Sequence, residues 1–176
     1  MSLAFFATGK LDVISSLFLV DIALTFFGTT DNAAIGAASQ IIVFSNIAAV
    51  IFGLLNGILS IRFKHKTILV FGSICIIIGT VGCILTPNFF GMQILYPFDG
   101  IGSVTVGAMA FALIGELLPL NKRGKAIGYV TASGMLAATI GFPIAGVLAG
   151  INGWRSVMLL YVLPISILAL LAIIVG

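Results

Sequence analysis

Charged residues are scarce in this chain. Its 176 residues include 8 Lys and Arg, 5 Asp and Glu and 1 His, so that 7% are charged while 61% are hydrophobic. Soluble proteins carry about 25% charged residues, and a soluble domain of this length could not bury so much apolar surface. The chain therefore needs lipid as its solvent. Its long apolar runs predict an all-α membrane protein.

Residues that usually build catalytic or metal centres are also few. His65 is the single histidine of the sequence, so no metal-ligating spacing exists. There is no Walker loop for ATP, and no G-x-S-G serine with a membrane-buried histidine for an intramembrane protease. Cys75 and Cys83 stand eight residues apart, about 12 Å along a helix, which is too far for a disulfide. The sequence predicts neither an enzyme nor a cofactor.

The apolar stretches predict six membrane spans joined by short connections. A helix needs about 20 apolar residues to cross the hydrocarbon core, and each stretch has about that length. So little sequence remains between them that any function must lie within the membrane or at its faces. The spans are about 3–20 (or on to 27), 36–60, 67–86, 92–118, 126–150 and 156–175.

Basic residues are concentrated in two of these connections, after the second and the fourth span. The connections after the first, third and fifth spans contain one basic residue, Arg155, beside Trp154, which we expect at the membrane interface. Because cytoplasmic connections collect Lys and Arg, this alternation predicts that both termini are cytoplasmic. The six basic residues are Arg62, Lys64, Lys66, Lys122, Arg123 and Lys125.

The connection after the second span reads G-I-L-S-I-R-F-K-H-K over residues 57–66. It resembles the G-x-L-x-D-R-x-G-R-K loop of the major facilitator superfamily. The positions that match are Gly57, Leu59, Arg62 and Lys66. The positions that depart are Ile61 for the Asp, Lys64 for the second Gly and His65 for the first residue of the closing basic pair.

Four later stretches resemble motifs of the same family. Asp99 stands at the Gln position of an R-x-x-Q-G-x-G pattern, with Gly100 and Gly102 kept. Pro143 and Gly146 match part of the G-P-x-x-G-G pattern of family exporters. The sequence also contains an acid, a Pro and an R-G pair after the fourth span and a G-W-R before the sixth: Glu116, Pro119, Arg123, Gly124, Gly153, Trp154 and Arg155.

The resemblance implies the N-terminal six-helix half of a transporter, built from two inverted three-helix repeats at about 1–86 and 92–176. It implies secondary transport of a small solute by alternating access in the plasma membrane, with efflux favoured by the exporter motif. A second six-helix half is then expected, as a C-terminal half, a separate chain or a homodimer copy. The missing Asp at Ile61 leaves a non-transporting scaffold or a truncated half-transporter as the alternative.

Asp99 is the main candidate for a proton carrier, because a charge at mid-bilayer is costly and therefore faces the bundle interior or a wet cavity. A structural hydrogen bond is the alternative. Asp12 is a second candidate if the first span begins near Leu3; with a start near Leu11 it would be interfacial.

At the cytoplasmic face we expect Glu116 to pair with Arg62 or Arg123 in a gate, and His65 to be a solvated loop residue. Pro143 and Gly146 are expected to bend the fifth span, and Gly53 and Gly57 to let helices approach closely. The polar residues available to a cavity are Gln40, Asn46, Asn56, Gln93, Ser103, Thr105 and Tyr129.

Overall fold

The computed structural model describes residues 19–175, apart from the side chains of 151, 152 and 175. Their secondary structure is helical throughout. The helices are α1 (Leu19–Phe27), α2 (Asn32–Arg62), α3 (His65–Leu85), α4 (Phe89–Leu95), α5 (Pro97–Leu117), α6 (Leu120–Asn152), α7 (Trp154–Val157) and α8 (Leu163–Val175), with a π-helical turn at Met158–Val162 between the last two.

Five stretches are long and apolar enough to cross a membrane, which confirms the second to sixth predicted spans. The first predicted span lies mostly outside the described residues, and α1 is its last part. Helices α4 and α5 together make one span, as do α7, the π-helical turn and α8. The five are Asn32–Arg62, His65–Leu85, Phe89–Leu117, Leu120–Gly150 and Trp154–Ile174.

The two basic connections are much shorter than the loops that the sequence predicted. Only 63–64 separate α2 from α3, and only 118–119 separate α5 from α6. Arg62 therefore lies in the last turn of α2 and Lys66 in the first turn of α3, with Lys64 between them as the N-cap. The basic residues of the second connection lie in the first two turns of α6: Lys122, Arg123 and Lys125. Because lipid offers no hydrogen-bond partner to backbone N–H and C=O groups, continuing the helices keeps these groups paired up to the membrane surface. At the other end Gly153, with φ +77°, reverses the chain in one residue, a conformation that glycine adopts readily.

Contacts at the helix ends show which connections lie together. At one end His65 Nδ1 is 3.1 Å from Glu116 Oε2, and Lys66 Nζ donates to the Ile174 carbonyl at 3.4 Å. At the opposite end Trp154 Nε1 donates to Thr25 Oγ1 at 3.2 Å. The spans therefore alternate in direction, with both basic connections at one end, which is called the basic end below.

Helix α5 is packed closely between α2 and α3 by glycines. A Cβ on Gly102 would lie 2.5 Å from the Gly72 carbonyl oxygen of α3, and one on Gly100 would lie 2.5 Å from the Ser45 carbonyl oxygen of α2. The expected close approach at Gly53 and Gly57 is wrong: a Cβ on Gly53 would make an ordinary 3.6 Å contact, and one on Gly57 would meet nothing within 4 Å. The glycines that set helix spacing are therefore those of α5 and of α3, where a Cβ on Gly79 would lie 2.8 Å from the Asp99 nitrogen.

The last span changes helical register before Pro164. The Leu163 N–H bonds to the Met158 carbonyl, five residues back, in a π-helical turn. Proline has no N–H to offer the carbonyl four residues before it, and its ring clashes there. A π-helical turn widens the helix at that point, so the helix accommodates Pro164 by an irregularity at Met158–Val162 just before it.

Candidate functional site

Asp99 lies in the first turn of α5 and is 1% exposed. It stands ten residues after Phe89, where this span begins, about 15 Å along the axis by helical rise. That distance is half of the roughly 30 Å hydrocarbon core. The structure therefore places a titratable carboxyl inside the bundle near mid-membrane, as the sequence predicted.

The backbone around Asp99 is held on two sides. A Cβ on Gly79 of α3 would lie 2.8 Å from the Asp99 backbone nitrogen, and Gly100 touches Ser45 of α2. Tyr96, one turn before Asp99, is 2% exposed. A shift of Asp99 therefore requires α5 to move against both neighbouring helices.

Asn56 and Thr105 form a buried polar contact between α2 and α5. Asn56 Nδ2 donates to Thr105 Oγ1 at 3.0 Å, and Thr105 Oγ1 donates to the Ile101 carbonyl at 2.7 Å. Asn56 is 3% and Thr105 1% exposed. These two residues were expected to be available to a cavity; instead they satisfy each other and tie the two helices together.

Other polar candidates remain on open surfaces. Asn46 is exposed and lies in a shallow groove along α2 with apolar neighbours. Gln40 and Tyr129 are exposed as well, and Gln93 and Ser103 are half-buried. The outward face of α2 thus carries polar groups that a solute or a neighbouring helix bundle could contact.

Glu116 pairs with His65, which corrects the expected arginine partner. Glu116 is near the C-terminal end of α5, and His65 is the first residue of α3. A carboxylate is unfavourable at the C-terminus of its own helix and favourable at the N-terminus of a neighbour, so this contact suits both helix ends. His65 is accordingly half-buried in a helix rather than solvated in a loop. Both residues were predicted at the cytoplasmic face, and that shared location was the sequence signal for the pair.

Three cations instead donate to carbonyls at helix C-termini. Arg123 Nε donates to Leu118 O at 2.8 Å, at the end of α5. Lys66 does the same at the end of α8, and Arg155 Nη2 donates to Thr86 O at 3.2 Å at the end of α3. The last four carbonyls of a helix lack partners within it, and cations are favourable there. These side chains therefore join neighbouring helix ends.

Trp154, which the sequence predicts at the membrane interface, is buried among neighbouring helices. It is 4% exposed, its indole bonds to Thr25, and its ring centroid lies 6.4 Å from that of Phe26. Arg155 lies over the same indole at 5.2 Å. The G-W-R stretch thus holds α1 and α3 to the final span.

The remaining site residues of the sequence analysis do not come together with Asp99. Gly57 is exposed on α2, Leu59 is half-buried, and Arg62 is exposed at the end of the helix. Pro143 and Gly146 are exposed on α6, which continues to Asn152. Asp12 lies outside the described residues. Within 19–175 no three His, Cys, Asp or Glu side chains group as metal ligands.

Comparison with known proteins places this arrangement in context. A family model described as Major Facilitator Superfamily matches residues 2–175. The MFS-type transporter YwfA of Bacillus subtilis is 25% identical over 155 residues, which cover 88% of this chain and 36% of that protein. The multi-drug resistance efflux pump PmrA of Streptococcus pneumoniae is 30% identical over 135 residues, covering 72% of this chain and 33% of that protein.

The solved structures give the same fold. The partially occluded inward-open conformation of the xylose transporter XylE from E. coli superposes with a TM-score of 0.86 and 17% sequence identity. The match covers 99% of this chain and 48% of that one. The chain thus spans about a third of the length of the two sequence relatives and about half of XylE.

Proposed function

Because this chain belongs to the major facilitator superfamily, we propose that it works as the N-terminal six-helix half of a secondary transporter that moves a small solute by alternating access. It is a multi-pass integral membrane protein. The proposal includes two inverted repeats at about 1–86 and 92–176, cytoplasmic termini and location in the plasma membrane. Transporters of this kind bind solute near mid-membrane between two such bundles.

The observation that carries the proposal is the burial of Asp99. Its carboxyl lies ten residues into a span of 29 residues that packs between two others, and a permanent charge inside a bilayer costs about 2.5–3.5 kcal/mol or more. A group that takes up a proton on one side of the membrane and releases it on the other avoids holding that charge throughout the cycle. Asp99 is therefore proposed as the proton-coupling residue, with Asp12 as a second.

Export is the proposed direction. Pro143 and Gly146 retain part of the exporter motif, and PmrA is named a multi-drug resistance efflux pump. A proline within a helix lacks one backbone hydrogen bond and favours a bend. A bend in α6 at Pro143 would let that helix close against a second half.

At the basic end a gate is proposed around the connection at residues 57–66, which resembles the family loop. Gly57, Leu59, Arg62 and Lys66 belong to it, with Glu116 and Arg123 on the neighbouring connection. The pair between Glu116 and His65 joins the two connections in this conformation. In the proposed cycle such contacts break and form again as the two halves rock.

A second six-helix half is part of the proposal. Helices α2 and α6 expose most of their apolar side chains: Leu54 is 75% and Val147 66% exposed. The match to only 48% of XylE leaves the same amount of that fold for a second bundle. That bundle is proposed to be a C-terminal half or a second copy of this chain. Intact and oligomeric mass of protein purified from its native membrane distinguish the two.

The test is proton-driven transport of fluorescent drug-like dyes in proteoliposomes. We expect Asp99→Asn to abolish uphill transport driven by a pH gradient while dye exchange without a gradient continues, because only the coupled step needs the carboxyl. Asp31→Asn makes the same charge change at an exposed helix N-cap, where Asn also caps well, and should leave transport unchanged.

Two outcomes would contradict the proposal in different ways. Uphill transport that survives in Asp99→Asn would reject Asp99 as the coupling residue. If well-folded protein of known mass shows no gradient-dependent flux of any tested solute, the result would favour the alternative of a non-transporting scaffold. Ile61 in place of the family Asp suggested that alternative.

A further inference from the structure

An apolar groove opens where α2 turns into α3. It has a volume of about 190 Å³ and is lined by Leu59, Phe63, Thr67, Ile68 and Phe71. Phe63 is 54% and Phe71 46% exposed, so the groove opens on the outside of the bundle. It lies at the membrane-surface end of two spans, within reach of lipid acyl chains.

Three cations are chain neighbours of residues that line this groove. Arg62 and Lys64 are the chain neighbours of Phe63, and Lys66 is the neighbour of Thr67. All three are exposed. Among the described residues no acid pairs with Arg62 or Lys64, since Glu116 contacts His65. Lys66 donates to the Ile174 carbonyl at the end of α8, so in the described part of the chain Arg62 and Lys64 are the cations beside the groove that lack an ion pair.

Helix stability accounts for only part of this charge, because Arg62 is in the last turn of α2, where the helix dipole favours a cation. Lys64 is the N-cap of α3 and Lys66 is in its first turn, where the helix dipole disfavours cations and favours anions. Topology requires positive residues somewhere at this end, and Lys122 and Lys125 on α6 also contribute to that charge. The position of Arg62 and Lys64 next to a residue that lines an apolar groove needs a further explanation.

We propose that this groove binds one anionic phospholipid of the surrounding leaflet, with an acyl chain along the apolar lining and the phosphate at Arg62 and Lys64. Clusters of Lys and Arg at the end of a membrane span attract anionic headgroups. The apolar lining of the groove gives one acyl chain of the lipid a surface to pack against. The inference rests on the membrane-spanning fold and holds whether or not the chain transports a solute.

Other occupants fit less well. A soluble phosphate would gain nothing from the apolar lining, and a second helix bundle would fill the groove but leave the cations without anions. A phospholipid satisfies both features at once. The site therefore differs from ordinary lipid contact in its preference for a negative headgroup.

Native mass spectrometry of the full chain in mild detergent, titrated with phosphatidylglycerol or phosphatidylcholine, tests the proposal. We expect a preference for phosphatidylglycerol that falls about thirtyfold in the double variant Arg62→Gln/Lys64→Gln, since each Lys or Arg near an anionic headgroup contributes about 1 kcal/mol and 1.4 kcal/mol is about tenfold. Thr67→Trp, which fills the groove at an exposed position without changing charge, should weaken binding of the same lipid.

The matched control is Lys122→Gln/Lys125→Gln, which removes the same charge from the same end away from the groove. It should keep the preference. Equal losses in both double variants, or no preference in the unaltered protein, would overturn the proposal. Glycerol 3-phosphate competing as well as phosphatidylglycerol would assign the site to soluble phosphates instead. Size-exclusion profiles and helical circular dichroism of each variant show that a loss of binding is not a loss of fold.

Discussion

Asn56 and Thr105 show how single polar residues stabilise this bundle. Their hydrogen bond joins α2 to α5 in the interior, where an unpaired amide finds no water. We expect Thr105→Val to lower the free energy of unfolding by about 1–2 kcal/mol, because it leaves the Asn56 amide without its acceptor. Unfolding of the purified protein in mixed micelles measures the change.

The matched control is Ser73→Ala, which removes a buried hydroxyl bonded only within its own helix. It should cost clearly less than Thr105→Val. The double variant Asn56→Leu/Thr105→Val should cost less than the sum of its two single variants, because neither polar partner is then left alone. Strict additivity would mean that the two side chains contribute independently and that the hydrogen bond does not couple the helices.

Residue types that imply a location were easier to predict than residue partners. The burial of Asp99 follows from its place in an apolar span and from the cost of a charge in lipid. The partner of Glu116 does not follow, because an arginine and a histidine stand at the same membrane end and only the register of α3 against α5 selects His65. The burial of Trp154 does not follow from the sequence either, because its partner Thr25 lies 129 residues away along the chain.

At the level of helices, α5 is the element around which the described bundle packs. Its first half approaches α2 and α3 through glycines, whereas among the described residues nothing lies within 4 Å of a Cβ on Gly115 near its C-terminal end. A Cβ on Gly102 would meet the backbone of Gly72 and Ile76, which cannot move without shifting α3. Helix spacing here is therefore fixed by backbone contact rather than by large side chains.

The two halves of α5 provide a matched pair of substitutions. Gly102→Ala is expected to destabilise the protein by about 1–3 kcal/mol through overpacking. Gly115→Ala, in the same helix with nothing within 4 Å of its Cβ, should be neutral or stabilise by about 0.5–1 kcal/mol, since alanine restricts the unfolded chain. Thermal unfolding followed by the fluorescence of Trp154 compares them. A similar cost at both positions would show that the close approach at Gly102 does not limit packing.

The existence of the helices was predictable because lipid enforces it, but their ends were not. Apolar length fixes where a span must be. The composition of the two basic connections predicts loops, yet Arg62 and Lys122 are helical. Helical hydrogen bonds keep their backbone N–H and C=O groups paired near the membrane. The π-helical turn before Pro164 also has no composition signal beyond the proline itself.

For the whole molecule, the contacts at helix ends give alternation but not the direction across the membrane. His65 with Glu116 at one end, and Trp154 with Thr25 at the other, fix which connections lie together. The family and fold were predictable from short motifs in the right order. Orientation rests on charge: the basic end holds six of the eight Lys and Arg residues.

That charge difference yields the last prediction. In cells, a membrane-impermeant maleimide should label Asn88→Cys but not Lys64→Cys, because Lys and Arg keep the basic end in the cytoplasm. Both substituted positions are exposed, and the native Cys75 and Cys83 are 5% and 1% exposed, so background labelling should be low. After permeabilisation both variants should be labelled, which controls for reactivity. Labelling of Lys64→Cys but not of Asn88→Cys in intact cells would show the opposite orientation. The basic end would then lie outside the cell and the proposed anionic-lipid groove in the outer leaflet.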